Sequence, residues 1–180
     1  MLQLTIPSVE LWDESKQEFL YMKERTLQLE HSLVSLSKWE SKWHKPFLTK
    51  EAKTIEETID YIRCMTLTQN VDPEGYKYIT DENIKQVNAY IDDPMTATWF
   101  SDEKKGKSSS EQITAELIYY SMVALQIPIK CEKWHLNRLI TLIKVCDIKS
   151  RPPKKMSKRE AINRTRALNG ARRKKHNPQG

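Results

Sequence analysis

The feature that most restricts the fold of this chain is a change in the spacing of its apolar residues at Ser32. Before it, Leu2, Leu4 and Ile6 alternate with polar positions until Pro7, and Leu27, Leu29 and His31 alternate again within Thr26-Leu27-Gln28-Leu29-Glu30-His31. A period of two is that of a strand with one face turned inward. Between these runs, Glu10-Leu11-Trp12 and Phe19-Leu20-Tyr21-Met22 flank the polar stretch Asp13-Glu14-Ser15-Lys16, the pattern of a hairpin. From Ser32 the spacing becomes three or four, and Leu33, Leu36, Trp39 and Trp43 share one helical side until Pro46. The predicted fold class is α+β, mainly α: a small N-terminal antiparallel sheet or hairpin packed on a helical body, followed by a basic C-terminal helical arm.

Further helices follow from their start signals. Thr54-Ile55-Glu56-Glu57 has the capping-box pattern and predicts a helix that buries Ile55, Ile59, Ile62 and Met65. Asp72-Pro73-Glu74-Gly75 predicts a turn. Thr80 is a suitable N-cap for a helix carrying Ile84, Val87 and Ile91 inward until Asp93-Pro94. Residues 101–110, with Gly106 and three consecutive serines, predict a loop between two helical halves. Ser108-Ser109-Ser110-Glu111 then opens a helix that is apolar on most sides through Leu117, Ile118, Tyr120, Met122, Val123, Ala124 and Leu125, a core pattern. Beyond Pro128, Leu136, Leu139, Ile140, Ile143 and Cys146 share a face, so these two helices are expected to form the core hairpin.

Charge divides the chain. Residues 149–180 hold 12 Lys or Arg and one acid, Glu160, or +11; against +6 for the whole chain, this leaves −5 on residues 1–148. The predicted domains are a compact body over residues 1–150 and a basic arm over 151–180, separated by Arg151-Pro152-Pro153, where two rings remove N–H donors. Ser157-Lys158-Arg159-Glu160 predicts that the arm begins as a helix, which Gly170 weakens. The three cysteines, Cys64, Cys131 and Cys146, lack disulfide-framework or CxxC spacing, which points to a reducing compartment. Met1-Leu2-Gln3-Leu4 lacks a cationic, apolar leader, and no apolar run approaches the ~20 residues of a membrane span. The expectation is neither secretion nor membrane insertion.

Reactive groups do not converge in the sequence. Cys131, His135 and Cys146 would fall on one helix, but fifteen residues separate the two thiols, about 22 Å at ~1.5 Å per residue, too far to share an ion. His31 and His44 have no nucleophile motif beside them. Glu56, Glu57 and Asp60 suit the positive end of a helix better than acid–base chemistry, and no phosphate-binding glycine loop is present. The sequence therefore predicts no catalytic residue, no metal ligand and no cofactor. Trp39 and Trp43, with Phe47 and flanking Lys38 and Lys42, offer an aromatic protein-binding anchor or, alternatively, an edge of the core. The arm cations Lys154, Lys155, Lys158, Arg159, Arg164, Arg166, Arg172, Arg173, Lys174 and Lys175 suit a protein partner or nucleic acid equally. A membrane surface is disfavoured because the arm has no insertion face.

Two stretches carry a resemblance: Leu27-Gln28-Leu29-Glu30-His31-Ser32-Leu33 leading to Lys38-Trp39-Glu40-Ser41-Lys42-Trp43, and Trp134-His135-Leu136-Asn137-Arg138-Leu139 leading to Lys144-Val145-Cys146. With Pro152-Pro153-Lys154-Lys155-Met156-Ser157-Lys158-Arg159-Glu160, they resemble a family of small tailed-bacteriophage proteins over nearly the whole chain. The order of parts, with Thr26 to Leu36 as the opening, is similar to that of phage tail assembly chaperones. That resemblance implies binding of tape-measure and tail-tube proteins in the host cytoplasm, with a homo-oligomer compatible with the role. The competing readings are a virion component, a connector or capsid-associated protein whose arm meets DNA, and a nucleic-acid-binding regulator.

Overall fold

A computed structural model of the chain describes residues 1–13, 17–49, 51–100, 112–151 and 158–176. The chain divides into two compact units, Met1–Asp147 and Ile148–Gly180. The fold class is mixed α+β, mainly helical, with a small antiparallel hairpin packed against helices.

In the first unit, β1 (Leu2–Ile6) pairs antiparallel with β4 (Arg25–Leu29), and β2 (Val9–Asp13) with β3 (Glu18–Met22). The register runs unbroken from Leu2 opposite Leu29 through Ile6 opposite Arg25, and on from Val9 opposite Met22 to Asp13 opposite Glu18. The four strands are therefore one ribbon, interrupted where Pro7 supplies no N–H. Its inner half buries Leu4, Ile6, Leu27 and Leu29 on a single face, as the alternation predicts. Backbone bonds then tie it to the helices: Glu30 N–H donates to the Met65 carbonyl (2.9 Å) and Leu67 N–H to that of Gln28 (2.8 Å).

The helical body comprises α1 (Leu33–Trp43), α2 (Ile55–Met65), α3 (Asp81–Asp92), α4 (Ala115–Ala124) and α5 (Leu136–Ser150), with 3₁₀ turns at Pro73–Tyr78 and Ile129–Lys133. Ser32, Thr54 and Thr80 each cap a helix through a side-chain oxygen that accepts the N3 backbone N–H. The last two are the caps read from sequence. The centre of the packing is α1, which lies against α2, α4 and the second 3₁₀ turn, while α3 packs on β1. In the second unit, α6 (Lys158–His176) continues past Gly170 to His176.

The structure corrects three expectations. Ile55 is not buried: it occupies the first position of α2, where the chain has just left the surface cap, and is 74% exposed. Asp72-Pro73-Glu74-Gly75 does turn, Gly75 N–H donating to the Asp72 carbonyl at 3.0 Å, and it opens a 3₁₀ helix that Asp72 caps by accepting from Glu74 N–H. The all-round apolar helix does not lie wholly in the core: α4 buries Ala115, Ile118 and Met122 but exposes Tyr120 and Val123. The core is accordingly built around α1 rather than an α4–α5 hairpin, since only one face of α4 is turned inward. Helix α4 begins after Thr114; Ser108 to Glu111 and the loop expected at residues 101–110 lie outside the described residues.

Candidate functional site

The two stretches that carry the family resemblance meet inside the first unit. Ser32 forms an isolated bridge with His135, and Leu136 N–H donates to the His31 carbonyl at 2.7 Å. This brings the two imidazoles together edge to face, ring centres 5.1 Å apart. The Nδ1 of His31 shares a 2.6 Å hydrogen bond with the Tyr61 hydroxyl, and His135 Nε2 lies 3.0 Å from the Tyr90 carbonyl. Tyr90 donates its hydroxyl to Glu30 (2.8 Å), and the Asn137 amide donates to the Ile91 and Asp93 carbonyls, both at 2.8 Å. Residues far apart in sequence thus close one buried polar knot that joins β4, α2, α3 and α5.

Burial, reinforced by the neighbouring His135, pushes His31 from its ordinary 6.5 down to about 3, so it is neutral in the folded protein. Tyr61 is held protonated well above its usual range, again by burial. A group whose folded pKa is depressed below its unfolded one costs stability as pH falls from the unfolded value toward the folded one. Folding stability is therefore expected to fall by about 1.4 kcal/mol per pH unit below 6.5 on account of His31. Urea unfolding between pH 7 and 5, a window above most carboxylate titration, checks this: His31→Gln should flatten the dependence. An unchanged slope in that variant would place the sensitivity elsewhere.

Of the three carboxylates considered for acid–base work, Glu56 is exposed and Asp60 and Glu57 serve as ties. Asp60 pairs with Lys42 and accepts from the Trp43 indole N–H at 2.9 Å. Glu57 pairs with Lys45 at 2.8 Å and accepts the Thr54 N–H at 2.9 Å, and the Lys45 bond followed by the Thr54 bond holds its pKa below the usual value. Glu40, not singled out from sequence, is buried and accepts two backbone N–H groups, Phe47 and Ala115, each at 2.7 Å. Nothing in the sequence distinguishes it from the solvated acids of other helices. Among the described residues no buried side-chain nitrogen or oxygen lacks a partner.

Of the aromatic trio, Trp39 and Phe47 are core residues. Trp39 is 1% exposed, donates its indole N–H to the Glu57 carbonyl at 2.9 Å and meets Phe47 edge-on at 5.1 Å. Phe47 stacks on Tyr61. Only Trp43 has surface to offer, in a groove of about 440 Å³ beside Ile55, Ile59, Lys42, Arg63 and Lys77. Arg138 lies over the Trp134 ring at 4.3 Å. Cys131 sits in a 3₁₀ turn and His135 precedes α5, so the continuous helix imagined through Cys146 does not form. Among the described residues no group of three or more His, Cys, Asp or Glu could hold a metal.

Other exposed apolar residues lie on the ribbon and on α4. Beyond Pro7 the ribbon carries Trp12, Phe19 and Tyr21 on the surface, Phe19 at 65% exposure, with Trp12 against Phe19 across the strands at 4.8 Å. Trp12, Phe19 and Tyr21 share one face of the β2–β3 ladder, while Met22, on its other face, lies beside Ile6, Gly75 and Tyr78 of the body. Sequence reading found this hairpin but not its face. Phe19-Leu20-Tyr21-Met22 is apolar at both parities, so alternation does not mark the exposed face. Helix α4 presents a second patch, Tyr120 and Val123.

In the arm, Arg159, Arg164, Arg166, Arg172, Arg173 and Lys175 are all exposed on α6. Lys158 and Lys174 belong to that helix, though their side chains are outside what is described, and Lys154 and Lys155 lie outside the described residues altogether. No helix among the described residues is long and apolar enough to cross a membrane. In comparisons with known proteins, no family model, no curated protein and no solved structure matches this chain.

Proposed function

We propose that this chain is a chaperone-like assembly factor of tailed bacteriophages, acting without catalysis in the host cytoplasm by binding tape-measure or tail-tube proteins. The observation that carries the reading is the outer half of the β-ribbon. It has exposed aromatics on one face and is a two-stranded ladder, so each strand has an edge without a neighbouring strand in its sheet. Such ribbons recruit an extended partner segment by main-chain pairing, with aromatic side chains as anchors. Engagement of the buried His and carboxylate groups in structural hydrogen bonds supports a binding role over a chemical one. The family resemblance supplies the phage setting.

The expected result is that Trp12→Ser, Phe19→Ser and Tyr21→Ser together reduce capture of tape-measure or tail-tube protein at least about tenfold, since anchor residues carry much of an interface's energy. The melting of the body should change little, because these side chains are already in water. The wild-type chain should co-purify with one of those proteins from infected cells and be absent from mature particles. Fixed-copy incorporation into virions would favour the structural alternative. Full capture by the triple variant would remove the ribbon from the interface.

A further inference from the structure

We propose that α6 is a DNA-binding element that seats in the major groove of a double helix and contacts phosphates on both sides. This function lies beyond protein binding by the first unit and does not depend on it. Helix α6 holds eight Lys or Arg and one Glu, or +7 with histidine neutral. Every α6 side chain that is described is exposed, so the cations are presented to solvent rather than consumed by a core.

Their distribution argues for a groove. At about 100° per residue, Arg159, Arg166 and Arg173 recur every seven residues and line one side of the helix. Arg164 and Lys175 fall on roughly the opposite side, with Arg172 further round in the same half. Between the two sides lie Ala167, Gly170 and Ala171, together with Glu160, Asn163 and Lys174. A helix about 10–12 Å across with cations on two opposite flanks matches a major groove about 12 Å wide with a phosphate strand on each wall. A flat anionic surface would call for cations on one side only.

Other occupants fit less well. A lipid surface needs an insertion face, yet Ile162 and Leu168, both exposed, lie about 120° apart on the helix. A protein groove needs apolar anchors at i, i+3, i+4 or i+7, and these two are six apart. Duplex RNA has a deep, narrow major groove that such a helix cannot enter. Because the phosphates supply most of the attraction, binding should be strongly salt-dependent and weakly sequence-dependent.

The test uses the full-length chain and fluorescence anisotropy with a labelled 20-base-pair DNA duplex, titrated at several salt concentrations. Two triple variants are compared with wild type: Arg159→Gln/Arg166→Gln/Arg173→Gln and Arg164→Gln/Arg172→Gln/Lys175→Gln. Each should weaken binding about tenfold or more at moderate salt and lower the slope of log K against log salt by roughly 2–3, the number of contacts removed. Circular dichroism should confirm that neither variant unfolds the body. Loss with one triple only would overturn two-sided seating. Equal affinity for duplex RNA, heparin or phosphatidylglycerol vesicles would overturn the groove in favour of general polyanion attraction. Absence of DNA binding at low salt, or a salt slope unmoved in both variants, would overturn the proposal outright.

Discussion

Replacing Trp39 by Ala is expected to destabilise the first unit by about 3–5 kcal/mol, the range for truncating a large buried aromatic. Trp39 is almost fully buried on the inward side of α1, the helix on which α2 and α4 pack. Its removal opens a cavity between Phe47 and Trp43 and takes away the indole donor to the Glu57 carbonyl. Since small domains are stable by only about 5–15 kcal/mol, this single change removes a large share of the folding free energy. Trp43→Ala should cost less, about 1–2 kcal/mol, because that ring is half-buried, although Asp60 loses one donor. Denaturant melts of the two variants separate these outcomes. Equal, small losses would contradict the assignment of Trp39 to the core. The contrast also governs how binding experiments are designed: a partner lost on mutating Trp39 reports unfolding, whereas one lost on mutating the ribbon aromatics reports an interface.

Glu40→Ala should be nearly as damaging, at about 3–5 kcal/mol. Its two carboxylate oxygens each accept one backbone N–H, from Phe47 in the segment after α1 and from Ala115 at the start of α4. Charge-assisted bonds contribute about 1.5–3 kcal/mol each, and a buried donor left unpaired costs a further share. Helix α4 has no side-chain cap of its own at Thr114, so Glu40 takes the part of one from a helix 75 residues away in the chain. Glu40→Gln should recover part of the loss, because the amide oxygen can still accept one N–H while its NH₂ faces the other. Unfolding by urea, with hydrogen exchange at Phe47 and Ala115, checks both points. If Glu40→Ala melted like wild type and protection at Ala115 were unchanged, the tie between α1 and α4 would carry no energy.

These two residues also mark the limit of legibility. Strand alternation before Ser32, the helical spacing after it and the Thr54 and Thr80 caps are local facts, set by side-chain geometry within a few residues, and each appears in the structure at its expected place. Trp39 was legible as an inward helical position, but an amphipathic stripe reads alike whether it meets the protein's own core or another protein. Burial, which separates the two, is a property of what packs against the stripe. Helix α4 failed in the opposite direction: its apolar composition suggested an interior, and the fold supplied neighbours for only one face.

By itself, the sequence determined the element types, the order of ribbon and helices, and the separation of a basic arm from an acidic body, because propensity, periodicity, capping and charge act over short distances. Tertiary structure alone decided that His31 meets His135, that Glu40 holds the start of α4, and that Trp12, Phe19 and Tyr21 stay exposed. Each of these depends on residues brought together across long stretches of chain. Their pairing is chosen by the packing of α1 against its neighbours and by the need to satisfy buried polar groups, neither of which leaves a periodic mark along the sequence.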